Sequence, residues 1–436
     1  MSTSDKQQLT AAAKRWFLAA FGCAVFSLVY EYFGHGVLSA FMLFQFLFPL
    51  VLGTGAALLL RRVGRRCPDA LSLGLWRLGV VTLTLGCCLT GVFEIYGAPA
   101  PLVTVHWCLG GSLCLAGALR YALSLRTAHE ANDGNSEKEG SPVTIREGYL
   151  PFEGHQTYYR IVGEQTEGKK PLILLHGGPG STHNYFEVLD DFAREDGRQL
   201  IMYDQLGCGN SYLEGHPELW NADTWVRELM ALREHLGIRE CHLLGQSWGG
   251  MLLLEYICNH EHTGVKSIIL SSTLPSSRLW GEEQHRMIAE LPQEMQDAIR
   301  AADESGDYSG EAYAAAEAEF MLRHAAGAVT DDTPECVRRP KRSGRESYVV
   351  GWGPNEFTPM GTLKDYDVTA QLKDIRESAL IISGGNDLCT PYIAKTMYDG
   401  IPDSRWELFR TCRHSCFVED TPRYTALLKE WLNQHD

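Results

Sequence analysis

The 436-residue sequence has 13 cysteines but no pair at C-x-x-C spacing and no zinc-ligand pattern. That excludes a zinc ribbon and gives no sign of a disulfide framework, so the thiols are expected to stay reduced. The H-E-x-x-H spacing of a helical zinc site is also missing: His260-Glu261-His262 sets its two histidines only two apart, so no metal site is expected. Basic charge is scarce after residue 126, with 29 Lys/Arg against 50 Asp/Glu, within a chain whose net charge is −15. A nucleic-acid surface needs a basic face, so no nucleic-acid partner is expected.

The first 126 residues reverse that balance, with 10 Lys/Arg against 4 Asp/Glu. Four apolar runs dominate them, at 16–30, 37–60, 71–96 and 101–123. Crossing about 30 Å of hydrocarbon takes about 20 residues, and each run is near that length. The first reaches it only with its flank, Glu31 to Phe33. A cleaved signal peptide accounts for one run, not four. The expectation is an all-α four-helix transmembrane region over 1–126, with the lipid bilayer as partner.

Orientation follows from where the cations lie. Lys6, Lys14 and Arg15 precede the first run, Arg61, Arg62, Arg65 and Arg66 follow the second, and Arg126 follows the fourth. The loops at Gly34-His35-Gly36 and 97–99 carry no Lys or Arg. Both ends of the bundle are therefore expected on the cytoplasmic side. Glu31, Glu94 and His106 are the ionisable residues near the outer ends of the runs, and interfacial placement is the expectation for them. Gly110-Gly111 and Gly117 suit close helix packing.

Residues 127–144 are polar and lack apolar periodicity, and are expected to be a flexible linker. A coil of that length spans on the order of 25 Å. From there to the end, 145–436, strand-like and helix-like segments alternate, as in an α/β domain. Strands are expected at 158–162 (an early edge strand), 171–175, 199–203, 243–244, 267–270, 379–383 and 405–409. Helices are expected at 224–236 and 424–432 among others. Between about 273 and 361 the alternation stops, and an Ala- and Glu-rich helical insert, a cap, is expected.

Gly245-Gln246-Ser247-Trp248-Gly249 stands where a short apolar run meets a helical one. Strand, sharp turn, helix with G-x-S-x-G at the corner is a nucleophile elbow, the mark of an α/β-hydrolase fold. A serine nucleophile needs a base and a group to orient it, arriving in the order Ser, acid, His. Asp387 follows the strand at 379–383, and His414 follows the last strand. Ser247, Asp387 and His414 are thus the expected catalytic triad. For the oxyanion, the N–H of Trp248 is one expected donor, and the loop His176-Gly177-Gly178-Pro179-Gly180 offers Gly178 as the other. Asp204 to Ser211 follows a strand and reads as turn chemistry shaping the rim of the site. This chemistry calls for no metal or organic cofactor.

Four separated motifs, His176-Gly177-Gly178-Pro179-Gly180, Asp204-Gln205-x-Gly207-x-Gly209-x-Ser211, Gly245-Gln246-Ser247-Trp248-Gly249-Gly250 and Gly353-Pro354-Asn355-Glu356-Phe357, resemble the proline iminopeptidase family. The resemblance runs from about Val143 to the C-terminus. It implies a serine hydrolase that removes N-terminal residues, often proline, from short peptides, or hydrolyses amino-acid amides. It also implies that Glu356 binds the substrate's free α-ammonium. Peptidase members often carry a second acid just after the triad aspartate; here Leu388 stands there, which keeps other amide or ester substrates in view. The competing readings are a membrane-tethered esterase or amidase of another small acyl substrate, and a non-catalytic membrane sensor or scaffold. Equal turnover of N-acetylated and free arylamides marks the first, and failure of a fluorophosphonate to label Ser247 marks the second.

Overall fold

The computed structural model describes residues 3–33, 37–63, 68, 70–99, 101–135 and 143–436. The loop 34–36, Arg65, Arg66 and residues 136–142 lie outside them. The chain divides into two compact units, 1–141 and 142–436.

Among the described residues, the elements of the first unit are all helices: α1 (Thr3–Tyr32), α2 (Ala40–Phe44), a π-helical turn (Phe48–Gly55), α3 (Ala56–Val63), α4 (Ala70–Tyr96) and α5 (Val103–Asn135). Three helices among the described residues, Leu9–Tyr32, Ala40–Arg62 and Leu71–Tyr96, are long and apolar enough to cross a membrane. The first gains length on both sides of the run: it takes in Glu31 and Tyr32 of the expected flank, and it also starts upstream of Trp16, at Leu9, because Ala11-Ala12-Ala13 extend the helix with strong helix formers. The second contains Pro49, which lacks an N–H and is accommodated at the start of the π-helical turn. The fourth run lies in α5, where His106, Gly110, Gly111 and Arg120 interrupt its apolar course.

Glycines set the helix contacts in this unit. A Cβ on Gly110 would meet Leu83 at 2.7 Å, and one on Gly117 the Ser72 carbonyl at 2.9 Å, whereas Gly111 faces open space. Glu31 and Glu94 share one partner: Ser39 donates its N–H to Glu31 (3.0 Å) and its hydroxyl to Glu94 (2.6 Å). The expected linker differs from what is found. Residues 127–135 continue α5, since Ala128, Glu130 and Ala131 favour helix and no glycine intervenes before Gly134.

The second unit is built on an eight-stranded sheet: β1 (Ile145–Phe152), β2 (His155–Val162), β3 (Leu172–Leu175), β4 (Leu200–Tyr203), β5 (Cys241–Gln246), β6 (Val265–Ser271), β7 (Ser378–Gly384) and β8 (Ser404–Phe409). The order is β1-β2-β4-β3-β5-β6-β7-β8; β2 runs antiparallel to both of its neighbours, β1 and β4, and β3 to β8 run parallel. β2 was expected at the edge, but β1 takes that place. Arg146, Glu147, Gly148 and Pro151 hide its strand pattern, while a tight turn at Glu153-Gly154, both at positive φ, folds it onto β2.

The helices of this unit are α6 (Asp190–Asp196), α7 (Ala222–His235), α8 (Trp248–Asn259), α9 (Ser277–Ile288), α10 (Gln293–Ser305), α11 (Glu311–His324), α12 (Glu335–Arg338), α13 (Arg345–Gly351), α14 (Pro391–Gly400), α15 (Cys416–Glu419) and α16 (Thr421–His435). Alternate strand residues feed two cores. Ile173, Leu243 and Ile268 pack with α7 and α8, and Leu174, Leu244 and Ile269 pack with α6 and α16. Burying both faces is what a parallel sheet requires. The helices α9 to α13 lie between β6 and β7, so the insert is helical as expected.

Candidate active site

β5 is buried along its whole length and ends at Ser247, whose φ of 56° and ψ of −126° lie outside the wells open to an ordinary L-residue. The strain is held in place by contacts that only glycine permits. A Cβ on Gly249 would collide with the carbonyl oxygen of Leu175, and one on Gly245 with the carbonyl of Gly249. Thr273 donates its hydroxyl to the Ser247 carbonyl at 2.6 Å. Strand and helix therefore approach closely, with the serine side chain at the corner.

Trp248 opens α8, where the first N–H groups have no acceptor within the helix. Its indole Nε1 donates to Gln205 Oε1 (2.7 Å), and Gln205 Nε2 donates to the His176 carbonyl (2.9 Å). His176 accepts the Gln205 N–H at Nε2 (3.0 Å) and so donates from Nδ1 to the Gly177 carbonyl (2.8 Å). Burial lowers the His176 pKa to about 4, which keeps the ring neutral in this role. Gln205 thus ties the glycine loop to the elbow rather than shaping a rim. Asp204 works beside it, accepting the N–H of His183 (2.9 Å) and of Asn210 (2.8 Å).

In the glycine loop, the Gly177 N–H goes to the Tyr185 hydroxyl (2.5 Å) and the Ser181 N–H to the Gly177 carbonyl (3.3 Å). Pro179 has no N–H. Gly178, at φ +120°, keeps an N–H with no protein acceptor among the described residues.

Asp387 and His414 meet. Asp387 Oδ1 lies 2.7 Å from His414 Nδ1 and also accepts the Cys389 N–H at 2.9 Å. Oδ2 accepts from Ser272 Oγ (2.6 Å) and the Gly384 N–H (2.9 Å). The buried carboxylate is thus fully surrounded by donors, and Nδ1 donates to it, leaving Nε2 of His414 as the acceptor. The loop carrying His414 is tied to the elbow by Gln246 Nε2, which donates to the His414 carbonyl (3.2 Å).

Ser247, His414, Gly178 and Glu356 line one cavity of about 380 Å³, with Tyr185, Tyr348 and Leu388 also in its wall. Asp387 and Trp248 are buried behind that wall. Glu356 is positioned by an Asx turn, Asn355 Oδ1 accepting the N–H groups of Phe357 (3.0 Å) and Thr358 (2.8 Å). Its Oε1 accepts from the Tyr348 hydroxyl (2.9 Å), and its carbonyl from Trp280 Nε1 (2.7 Å). Among the described residues no Lys or Arg pairs with it. Burial raises its pKa above the ordinary carboxylate value, opposed by His414 and the Tyr348 hydrogen bond.

The motifs gave no hint of Ser272 and Trp280, which support Asp387, Glu356 and His414 from elements distant in sequence, or of Tyr348, which supports Glu356 from eight positions upstream. Trp280 sets its ring edge-on to His414, with centroids 5.9 Å apart. His262, by contrast, pairs with Glu377 (3.0 Å) and lies outside this cavity.

The alpha/beta hydrolase fold family matches residues 170–421. Proline iminopeptidase of Clostridium botulinum is 61% identical over 294 residues, 67% of this chain and 100% of that protein. Proline iminopeptidase of Lactobacillus helveticus is 57% identical over 295 residues, again 67% and 100%. Among solved structures, VinJ is similar with a TM-score of 0.62 and 30% identity, over 68% of this chain and 100% of that one. The proline iminopeptidase of Mycobacterium smegmatis gives 0.60 and 33%, over 66% and 98%. With the elbow, its glycine loop and the capped cavity in place, these likenesses assign the C-terminal two-thirds: the chain belongs to the proline iminopeptidase family of α/β hydrolases.

Proposed function

We propose that the protein is a serine aminopeptidase that removes N-terminal residues, proline among them, from short peptides or amino-acid amides. The observation that carries this reading is Glu356, a carboxylate with no cationic partner in the same cavity as Ser247 and His414. A carboxylate with no Lys or Arg beside it among the described residues suits a ligand that brings the cation, here the α-ammonium of a chain end. That contact fixes which carbonyl reaches Ser247.

Ser247 Oγ attacks this carbonyl carbon while His414 Nε2 takes its proton, and Asp387 stabilises the imidazolium. The N–H groups of Gly178 and Trp248 hold the oxyanion. His414 then gives the proton to the departing amine as the C–N bond breaks, leaving an ester on Ser247. Water, deprotonated by His414, releases the amino acid and restores the serine.

The test compares proline arylamide with its N-acetyl derivative, using Ser247→Ala as the inactive control. Rapid turnover of the free compound and about 100-fold or slower turnover of the blocked one is expected, since a buried ion pair is lost. Equal turnover would remove Glu356 from its role and favour an esterase or general amidase.

We further propose that α5 supplies a fourth span and that residues 142–436 face the cytoplasm. The support is the order along the chain: Lys14 and Arg15 precede the first run, Arg61 and Arg62 follow the second, and Arg126 follows the fourth, whereas the loops at 34–36 and 97–99 carry no Lys or Arg. In right-side-out vesicles, external protease should leave residues 142–436 uncut.

A further inference from the structure

In the acidic second unit, Arg338-Arg339-Pro340-Lys341-Arg342-Ser343-Gly344-Arg345 places five basic side chains in eight positions. Four of the five are engaged. Arg339 pairs with Glu187 (2.8 Å) and Glu335 (2.9 Å), and Arg338 donates to the Thr333 carbonyl (2.8 Å). Lys341 lies over the Tyr185 ring at 5.5 Å, and Arg342 over Tyr212 at 3.3 Å. Arg345 is different. It is exposed, lines the active-site cavity, and has no ion pair, carbonyl acceptor or ring partner among the described residues.

Its backbone is fixed beside the reacting centre. Gly344 N–H donates to the Gly180 carbonyl of the oxyanion loop (2.8 Å), and Gly209 N–H to the Arg342 carbonyl (2.7 Å). Arg345 and Tyr348 are three apart on α13, so they share a face. Tyr348 holds Glu356. The cavity therefore carries both a carboxylate, Glu356, and an exposed guanidinium, Arg345, with Ser247 in the same wall. A dipeptide is the complement of that pattern: a cation and an anion separated by two residues, about 7 Å when extended.

We infer that Arg345 is a subsite for the free C-terminal carboxylate of the substrate, so that the enzyme favours zwitterionic dipeptides over their C-terminal amides. This rests on the aminopeptidase reading above, in which Glu356 holds the other end. The guanidinium fork suits a carboxylate, and the exposed position limits the gain to about fivefold. It also makes the gain sensitive to salt.

The test uses the full-length protein and measures kcat/KM for Pro-Ala, Pro-Ala amide and proline arylamide in the wild type, Arg345→Ala and Arg345→Lys. The expected result is an acid-to-amide ratio of about five in the wild type, carried by KM. That ratio should fall to about one in Arg345→Ala, take an intermediate value in Arg345→Lys, and shrink at about 0.5 M salt, where screening reaches only about 4 Å. A wild-type ratio of one overturns the subsite. Equal losses on acid and amide in Arg345→Ala overturn it too, since they mark a structural role. In either case, continued cleavage of proline arylamide but not its N-acetyl form leaves the aminopeptidase reading standing; loss of that discrimination sinks the reading itself.

Discussion

The hydroxyl of Tyr348 donates a 2.9 Å hydrogen bond to Oε1 of Glu356, linking two residues of the cap eight positions apart. It stabilises the ionised form of a carboxyl whose pKa burial raises. The aminopeptidase reading needs that form. As pH falls through the raised pKa, Glu356 takes up a proton and kcat/KM should fall, at higher pH than an ordinary carboxylate would dictate. Tyr348→Phe removes a stabiliser of the anion, so it should raise KM for unblocked substrates by about tenfold and move the acidic limb to still higher pH. An unmoved limb in a pH–rate profile would show that another group sets it.

Ser272 supplies one of the two donors on Asp387 Oδ2, at 2.6 Å. Ser272→Ala leaves that oxygen with the Gly384 N–H alone and loosens the orientation of His414. The expected result is a fall in kcat of about tenfold, on the scale of one hydrogen bond to a charged group, with KM changed much less. Steady-state kinetics on proline arylamide reads both.

Glu228 is fully buried on α7, where it accepts the Leu206 N–H (2.9 Å) and the Thr157 hydroxyl. Burial raises its pKa to about 8, against an ordinary value of 4.5 in the unfolded chain. Between those values the folded state binds the extra proton, so stability is full below about 4.5 and is lost as pH rises through about 8. Glu228→Gln keeps the acceptor without the proton. Its Tm is expected to drop less than that of the wild type between neutral and alkaline pH.

Gly249→Ala places a methyl group against the Leu175 carbonyl oxygen, where backbone has no room to yield. Overpacking of a rigid site costs about 1–3 kcal/mol, and the elbow would shift with it. Low activity together with a Tm several degrees below the wild type is the expected pair of outcomes. An active, equally stable variant would show that helix and strand can separate.

Residues 142–436 contain the whole sheet, both cores and the cap, and the curated relatives align over their full length to this part. A protein beginning at Pro142 is expected to fold and to hydrolyse proline arylamide. Its kcat/KM, compared with that of the detergent-solubilised full chain, checks this.

Local sequence was enough for the elements whose chemistry is contained in a few consecutive residues. An apolar run entering Gly-x-Ser-x-Gly dictates strand, turn and helix because only glycines let β5 and α8 close around Ser247. Aspartate and histidine after later strands were legible for the same reason, as were the long apolar runs of the first unit. β1 was not, since its partner across the turn, rather than its own pattern, makes it a strand. The run of α5 through residues 127–135 did leave a signal in Ala128, Glu130 and Ala131, but the polar composition around them reads as a linker.

What only the tertiary structure decided is which distant groups converge. Ser272 and Trp280 become supports of Asp387 and Glu356 because β6 lies beside β7 and the cap folds over the strand ends. Arg345 stands apart from four neighbouring cations because each of those meets a carboxylate, a carbonyl or a ring from elsewhere in the fold. Motif spacing reports short-range backbone demands; partnership across the fold depends on distances that the order of residues does not contain.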